Sequence, residues 1–413
     1  MDIRVVVTGL GVVSPVGVTV NDFWDSLKQG RGGIGPITRF DASQFANRIA
    51  GEVTDFDPSQ YISPKDLRRM DLYTQYAVVS AYEAISDANL IIDQEDSNRI
   101  GVVVGSGIGG IDTLEKQHNI SLEKGPGRIS PFFVPMMISD IAAGHISIIF
   151  GAKGPNYATV SACATSAHAI ADACYILQRG DADVMIAGGS EAPITPLAIG
   201  GFASMKATST RNDEPEKASR PFDAQRDGFV LGEGAGIVIL ETLDHAESRG
   251  ATSYCELIGC GMTADAYHLT APAPGGEGAV RSMRLALEDG KCEPSQIDYI
   301  NAHGTSTPLN DKFETMAIKT VFGDHAYKMK ISSIKSMVGH LLGAAGVIEC
   351  IATVLSIKHS FVPPTINYEH PDPDCDLDYT PNVGQEHPIH FALTNSFGFG
   401  GHNVTLALRS ISG

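Results

Sequence analysis

The chain has 413 residues, 43% hydrophobic and 19% charged, the balance of a globular protein with a large core rather than of a disordered one. Its formal net charge of −18 argues against non-specific binding to nucleic acid or to an anionic membrane surface. No run approaches the roughly 18 consecutive apolar residues of a membrane span, and the seven scattered cysteines contain no C-x-x-C pair. Neither a disulfide framework nor a structural zinc site is expected, and a reducing cytoplasm is the compartment that cysteine usage favours.

In chain order, short β-branched runs ending in glycine alternate with helical patterns. "IRVVVTGLG" has the alternation of a first strand and no basic leader before it. "NDFWDSLKQG" reads as a helix closed by Gly30, and "LRRMDLYTQYAVVSAYEAISDANL" as one long helix with apolar positions at helical spacing. Further strands are expected at "RIGVVVGSG", "VMIAGGSEA", "GIVILETL", "YCELIGCG", "YINAHGT", "KMKISSIKS" and "FALTNSFGFGG". Such alternation predicts an α/β fold of parallel strands with crossover helices. "NYATVSACATSAHAIADACYILQRG" and "MKISSIKSMVGHLLGAAGVIECIATVLSIKHS" share a pattern of strand, small-residue turn and Ala/Gly-rich helix. A duplicated unit follows, with an N-terminal half over 1–251 and a C-terminal half over 252–413. "STRNDEPEKASRPFD" and "EHPDPDCDLDYTPNVGQEHP" read as surface loops.

Chemistry concentrates at the ends of strands. Cys163 sits where a β-branched run meets small residues, in "TVSACATSAHAI". A helix starting at Ala162 or Cys163 would bring a free thiol, near 8.5, down toward neutrality through its first-turn N–H groups, and the tight turn would offer N–H donors to an oxyanion. Taken alone, the stretch also fits a small buried cysteine with no chemistry. His303 in "NAHGTSTPLND", and Lys335 and His340 in "SIKSMVGHLLGAAG", fall at equivalent strand ends, where open α/β sheets gather ligands. In "NSFGFGGHN", Phe397 and Phe399 are interleaved with Gly398, Gly400 and Gly401, a segment able to bend sharply and swing a ring. Neither H-E-x-x-H nor a carboxylate cluster is present, so metal catalysis is not expected.

Two weaker signals need separate readings. "GSGIGG" (Gly105, Gly107, Gly110) fits G-x-G-x-x-G, but the region that follows, "ISLEKGPGRISP", reads as a loop without the helix and acidic residue a dinucleotide site requires. Lys65, Arg68 and Arg69 have spacings that share a helical face, and with Arg128 and Lys206 they form a basic set able to steer a highly acidic partner.

Together, "SACATSAHAI", "NAHGTSTPLND", "KSMVGHLLGAAG" and "NSFGFGGHN" resemble the condensing enzymes of the thiolase superfamily, over nearly the whole chain. The resemblance implies a five-layered α/β/α/β/α fold from two duplicated halves, usually as a homodimer. It also implies acyl transfer from acyl carrier protein to Cys163, followed by decarboxylation of a malonyl carrier and condensation. In that frame Cys163, His303, His340 and Lys335 are catalytic, with Lys335 holding His340 in position or biasing its protonation. The N–H groups of Cys163 and Phe399 form the oxyanion hole, and Phe399 with Phe397 gates it. Thr305 and Thr307 hold the pantetheine arm, Ile108 and Phe202 wall the acyl pocket, and Lys65, Arg68, Arg69, Arg128 and Lys206 dock the carrier. No cofactor is resident, because the 4'-phosphopantetheine arm arrives with the substrate. Val338 and His402 stand where the family commonly has threonine. A polyketide-type ketosynthase, a non-catalytic acyl-binding partner subunit and a cysteine hydrolase are the alternative readings.

Overall fold

A computed structural model describes residues 3–411. Ten strands form one sheet: β1 Val5–Val13, β2 Ile100–Gly105, β3 Asn156–Tyr157, β4 Val184–Glu191, β5 Gly234–Thr242, β6 Cys255–Ala264, β7 Tyr299–Asn301, β8 Lys330–Ser332, β9 Phe391–Gly398 and β10 His402–Ser410. Their order is β8-β7-β9-β10-β6-β1-β5-β4-β2-β3, so five consecutive strands come from each half of the chain. The halves join where β1 meets β6 over three residue pairs, Val5 with Leu257, Val6 with Glu256 and Val7 with Cys255.

The expected all-parallel sheet is a mixed one. Only the outer trios are parallel (β8-β7-β9 and β4-β2-β3), whereas every pairing between β9 and β4 across the middle is antiparallel. Hydrophobic periodicity carries no information about strand direction, so the inference from alternation alone had no means to see this. The strand missing from the sequence reading is β10, which returns antiparallel to β9 after only three residues.

Among the described residues, the longer helices, of nine residues or more, set the layers: α1 Val20–Lys28, α2 Leu72–Asp87, α3 Ile111–Lys124, α4 Ile141–Phe150, α5 Thr165–Gln178, α6 Pro196–Ser204, α7 Glu277–Asp289, α8 Pro308–Phe322 and α9 Ala345–His359. Helices α5 and α9 lie at the centre and pack against strands of both halves, α2 and α4 cover the outer face of the first half, and α7 and α8 that of the second. The result is the five-layered α/β/α/β/α arrangement. The small residues of α5 and α9 are required by their closeness. A Cβ at Gly346 would lie 2.8 Å from the Ala167 backbone nitrogen, so one methyl group there collides with main chain. Residues Leu342–His359 are long and apolar enough to cross a membrane, but 89% of that stretch is buried inside the protein as its central helix.

Two further expectations change. The long helix over 67–90 is broken: one turn spans Pro64–Leu67, and α2 starts afresh at Leu72 with Asp71 as its cap. Asp71 is extended and its carboxylate also accepts from Thr113 N and Oγ1, so its side chain competes with helical continuity. The two charged loops are not confined to the surface. Arg220 is 1% exposed and bonds Asp223 at 3.0 Å and Glu369 at 3.1 Å, Arg226 reaches Asp372 at 2.6 Å, and Phe222 stacks on Tyr379 at 3.9 Å. Charge that looked solvated in sequence is buried because each ion has a partner.

Candidate active site

Both halves build the same turn. Ala162 and Leu342 have positive φ (+50° and +47°), each opens a single 3-10 turn (Ala162–Ala164 and Leu342–Ala344), and each turn runs into a central helix, α5 or α9. Cys163 is the middle residue of the first turn and Gly343 of the second. The α-helix therefore starts at Thr165, later than the sequence suggested, and the thiol is not pulled toward neutrality. Burial pushes Cys163 up to about 11, while the Phe399 N–H and the charge of Lys335 pull it down by less. The resting sulfur is a neutral thiol.

His303 lies two residues beyond the end of β7, and His340 lies between the one-turn helix Lys335–Val338 and the second elbow. The His340 backbone is held by donation of its N–H to Val230 O at 2.7 Å and by acceptance from Gly232 N at 2.9 Å. Its Nε2 stands 3.1 Å from Cys163 Sγ, and one ligating atom from each of Cys163, His303 and His340 lies within 4.8 Å of the others. The two rings are 5.4 Å apart, edge to face at 85°. Burial, together with the charge of Lys335, holds both imidazoles well below the usual histidine range, so both are neutral.

Neighbouring donors then choose the tautomers. Leu342 N–H donates to His340 Nδ1 at 3.2 Å, which leaves the ring proton on Nε2, aimed at sulfur. The Lys335 ammonium stands 3.4 Å from His303 Nδ1 and donates to the His303 carbonyl at 2.7 Å, which again leaves the proton on Nε2. Lys335 thus bonds His303 rather than His340, while its charge biases the protonation of both rings; its other partner is Glu349. The trio is close enough to hold a metal ion, but a metal needs the lone pair that each Nε2 has given to a proton. Two N–H donors facing one point suit an oxygen anion.

Cys163, His303 and His340 line a cavity of about 460 Å³ together with Phe397, Phe399, Thr305, Thr307, Ile108, Phe202 and Lys206, and Lys335 stands behind His303 outside that lining. Thr305 and Thr307 hydroxyls bond each other at 2.9 Å. Ile108, Phe202 and Phe399 pack with Ile199, Phe229 and Leu342 as an apolar wall, and Phe397 stands 5.8 Å from the His303 ring. A Cβ at Gly398 would lie 2.8 Å from Ser161 O and 3.1 Å from Cys163 N, so glycine lets the Phe399 backbone reach the sulfur.

The basic set is not brought together at the cavity. Lys206 alone of the five lines it. Lys65 lies in the single turn Pro64–Leu67, Arg68 caps that turn, and Arg69 covers the Phe132 ring at 4.6 Å, so the shared helical face does not exist. Arg128 is exposed in its own one-turn helix, Pro126–Arg128. Val338 is 1% exposed in the central core, and His402 is exposed, edge to face with His168 at 6.5 Å.

Sequence reasoning missed two buried carboxylates. Glu314 accepts from His303 N and Gly304 N, both at 2.8 Å, and from Asn395 Nδ2 at 3.2 Å. Glu191, at the end of β4, accepts from the N–H groups of Gly107 and Ile108. The "GSGIGG" segment does open a helix, α3, against expectation, but the N–H groups of Gly107 and Ile108 go to Glu191, that of Gly109 to Ser106 Oγ and that of Gly110 to Met137 O, rather than to a phosphate. A single acidic residue closing an apolar strand, as in "VMIAGGSEA", is the signal that marked it.

Residues 2–246 match the family model described as beta-ketoacyl synthase, N-terminal domain, and residues 254–369 that described as beta-ketoacyl synthase, C-terminal domain. The chain is 56% identical over 406 residues to a protein of Synechocystis sp. (strain ATCC 27184 / PCC 6803 / Kazusa) named 3-oxoacyl-[acyl-carrier-protein] synthase 2, covering 98% of each. It is 53% identical over 408 residues to the Coxiella burnetii (strain RSA 493 / Nine Mile phase I) protein of the same name, covering 99% of each. Among solved structures, a type II PKS acyl-carrier protein in complex with its ketosynthase bound to the hexaketide matches with a TM-score of 0.92 at 39% identity. A beta-ketoacyl synthase from Burkholderia phymatum STM815 matches with 0.92 at 36%; both cover 100% of each chain. With family models over both halves and relatives of this identity along its full length, the chain belongs to the beta-ketoacyl synthase family.

Proposed function

We propose that the protein condenses acyl-acyl carrier protein with malonyl-acyl carrier protein, giving 3-oxoacyl-acyl carrier protein, carbon dioxide and free carrier in fatty acid chain elongation. The observation that carries this reading is the sharing of one cavity by the Cys163 sulfur and two imidazoles that each present an Nε2–H.

In the first step Cys163 Sγ attacks the acyl thioester; a carbon–sulfur bond forms to Cys163, the bond to the carrier sulfur breaks, and the thiol proton ends on the departing carrier thiol. The His340 Nε2–H at 3.1 Å stabilises charge on sulfur as that proton leaves. Next, the malonyl carboxylate departs as carbon dioxide and its bonding electrons form an enolate on the thioester oxygen, stabilised by the Nε2–H groups of His303 and His340. The enolate carbon attacks the acyl-Cys163 carbonyl, whose oxyanion takes the N–H groups of Cys163 and Phe399. Collapse expels the Cys163 sulfur, which regains a proton from solvent, so each cycle consumes one.

Thr305 and Thr307 hold the pantetheine arm, which supplies the carrier chemistry without a resident cofactor, and Lys206, which lines the cavity, meets the acidic carrier, with Lys65, Arg68, Arg69 and Arg128 outside the cavity steering it. The apolar wall of Ile108, Phe202, Phe229 and Phe399 favours simple acyl chains over carbonyl-bearing polyketide intermediates. We take the chain to be two halves, 1–251 and 252–413, acting in the cytoplasm as a homodimer. The exposed Ile148, Tyr157 and Val160 beside edge strand β3 support the pairing.

Purified protein given acyl and malonyl carriers is expected to form 3-oxoacyl product and to carry an acyl adduct on Cys163 by intact mass. Free fatty acid as the sole product would instead assign a hydrolase. Preference for polyketide starters would move the assignment to a polyketide ketosynthase, and an adduct-free, inactive protein to a partner subunit.

A further inference from the structure

Glu191 is fully buried, and all four polar groups bound to its carboxylate belong to two places the proposed reaction uses. Oε1 accepts from Ser106 Oγ at 2.8 Å and Ile108 N at 3.0 Å; Oε2 accepts from Gly107 N at 2.8 Å and Gly343 N at 2.9 Å. Ser106 Oγ in turn accepts from Gly109 N at 3.0 Å, so residues 106–109 are wound around one carboxylate. That segment carries Ile108, a wall of the apolar end of the cavity. The fourth donor comes from the second elbow, one residue beyond Leu342, whose N–H fixes the tautomer of His340. Two donors on each oxygen suit a carboxylate and offset part of the upward push that burial gives its pKa. No side chain can replace the arrangement from the glycine side, since a Cβ at Gly343 would lie 2.4 Å from Gly107 N and 2.6 Å from Glu191 Oε2.

We infer that Glu191 is a positioning residue that couples the depth of the acyl pocket to the Nε2–H of His340, by tying the Ile108 segment and the second elbow to the same carboxylate. Gln at this position keeps one acceptor oxygen and turns an NH2 donor toward N–H donors; at the Oε2 place it faces both Gly107 N and Gly343 N, so the pocket segment and the elbow each lose a tie. The segment bearing Ile108 then relaxes outward and deepens the pocket, while the elbow no longer holds Leu342 N–H on His340.

This inference rests on the condensing reading, and one experiment tests both separately. Wild type, Glu191→Gln and Ser106→Ala are each given a series of acyl carriers of increasing chain length, self-acylation is measured by intact mass, and malonyl decarboxylation is measured without an acyl donor. Wild type failing to form 3-oxoacyl product would overturn the condensing reading itself. Given an active wild type, Glu191→Gln is expected to shift the long-to-short ratio of kcat/KM at least fivefold toward long chains and to lower decarboxylation at least tenfold. Ser106→Ala loosens only the pocket side, so it should shift the ratio in the same direction while decarboxylation falls less than with Glu191→Gln. If Glu191→Gln folds and loses rate equally at every chain length, or Ser106→Ala leaves the ratio at the wild-type value, the coupling is wrong. If Glu191→Gln does not fold, Ser106→Ala decides the matter by the same ratio.

Discussion

The two elbows share a backbone and differ in what stands at the middle of the turn. In the first half that residue is Cys163, and its sulfur faces the cavity. In the second half it is Gly343, whose N–H points to a buried carboxylate and whose surroundings leave no room for a Cβ. One turn geometry therefore places a thiol at the cavity in one half and a fixed support for an imidazole in the other. Duplication provides the scaffold, and the division of labour comes from a single side chain and its absence.

Removing the sulfur breaks the contrast most severely. Cys163→Ala is expected to lower condensation by at least roughly a thousandfold, because no acyl-enzyme forms; carrier-product mass spectrometry and the missing adduct check it. A purified variant that still made 3-oxoacyl product would end the assignment of the first elbow as the reactive one. On the opposite side, His303→Ala should keep self-acylation within a few fold while malonyl decarboxylation drops by about 10² or more, the scale of one lost oxyanion donor. Loss of self-acylation with decarboxylation preserved would reverse the roles given to the two halves.

Filling the second elbow tests its inability to hold a side chain. Gly343→Ala is expected to destabilise the fold by about 1–3 kcal/mol, the usual cost of overpacking against main chain, and to lower the thermal midpoint. The pH response sharpens the reading of the first elbow. Alkylation requires thiolate, so with Cys163 pushed up to about 11 its rate should still climb about tenfold per pH unit between 8 and 10. A plateau near 8.5 would restore the helix-activated thiolate. The same shift has a stability sign: the native state holds the thiol proton more tightly than the unfolded chain, so this contribution is complete below about 9 and is lost as pH rises through 11. The smallest effect is expected at His402→Thr, an exposed site where the change in stability should stay within about 0.5 kcal/mol.

The amino-acid sequence by itself determined the α/β class, the duplication, and the candidates Cys163, His303, His340 and Phe399, because each sits at the end of a β-branched run where local composition changes abruptly. Only tertiary structure decided how those groups behave. Cys163 keeps its proton because burial outweighs nearby donors, Lys335 bonds His303 while only its charge reaches His340, and Glu191 and Glu314 matter because of partners 83 to 152 and 10 to 81 residues away in the chain. Strand direction and the burial of Arg220 were also out of reach, since periodicity reports which face is apolar and not which distant segment covers it. Local pattern records where the backbone turns; charge state, tautomer and partner depend on solvent exclusion and on contacts that exist only once the halves are folded together.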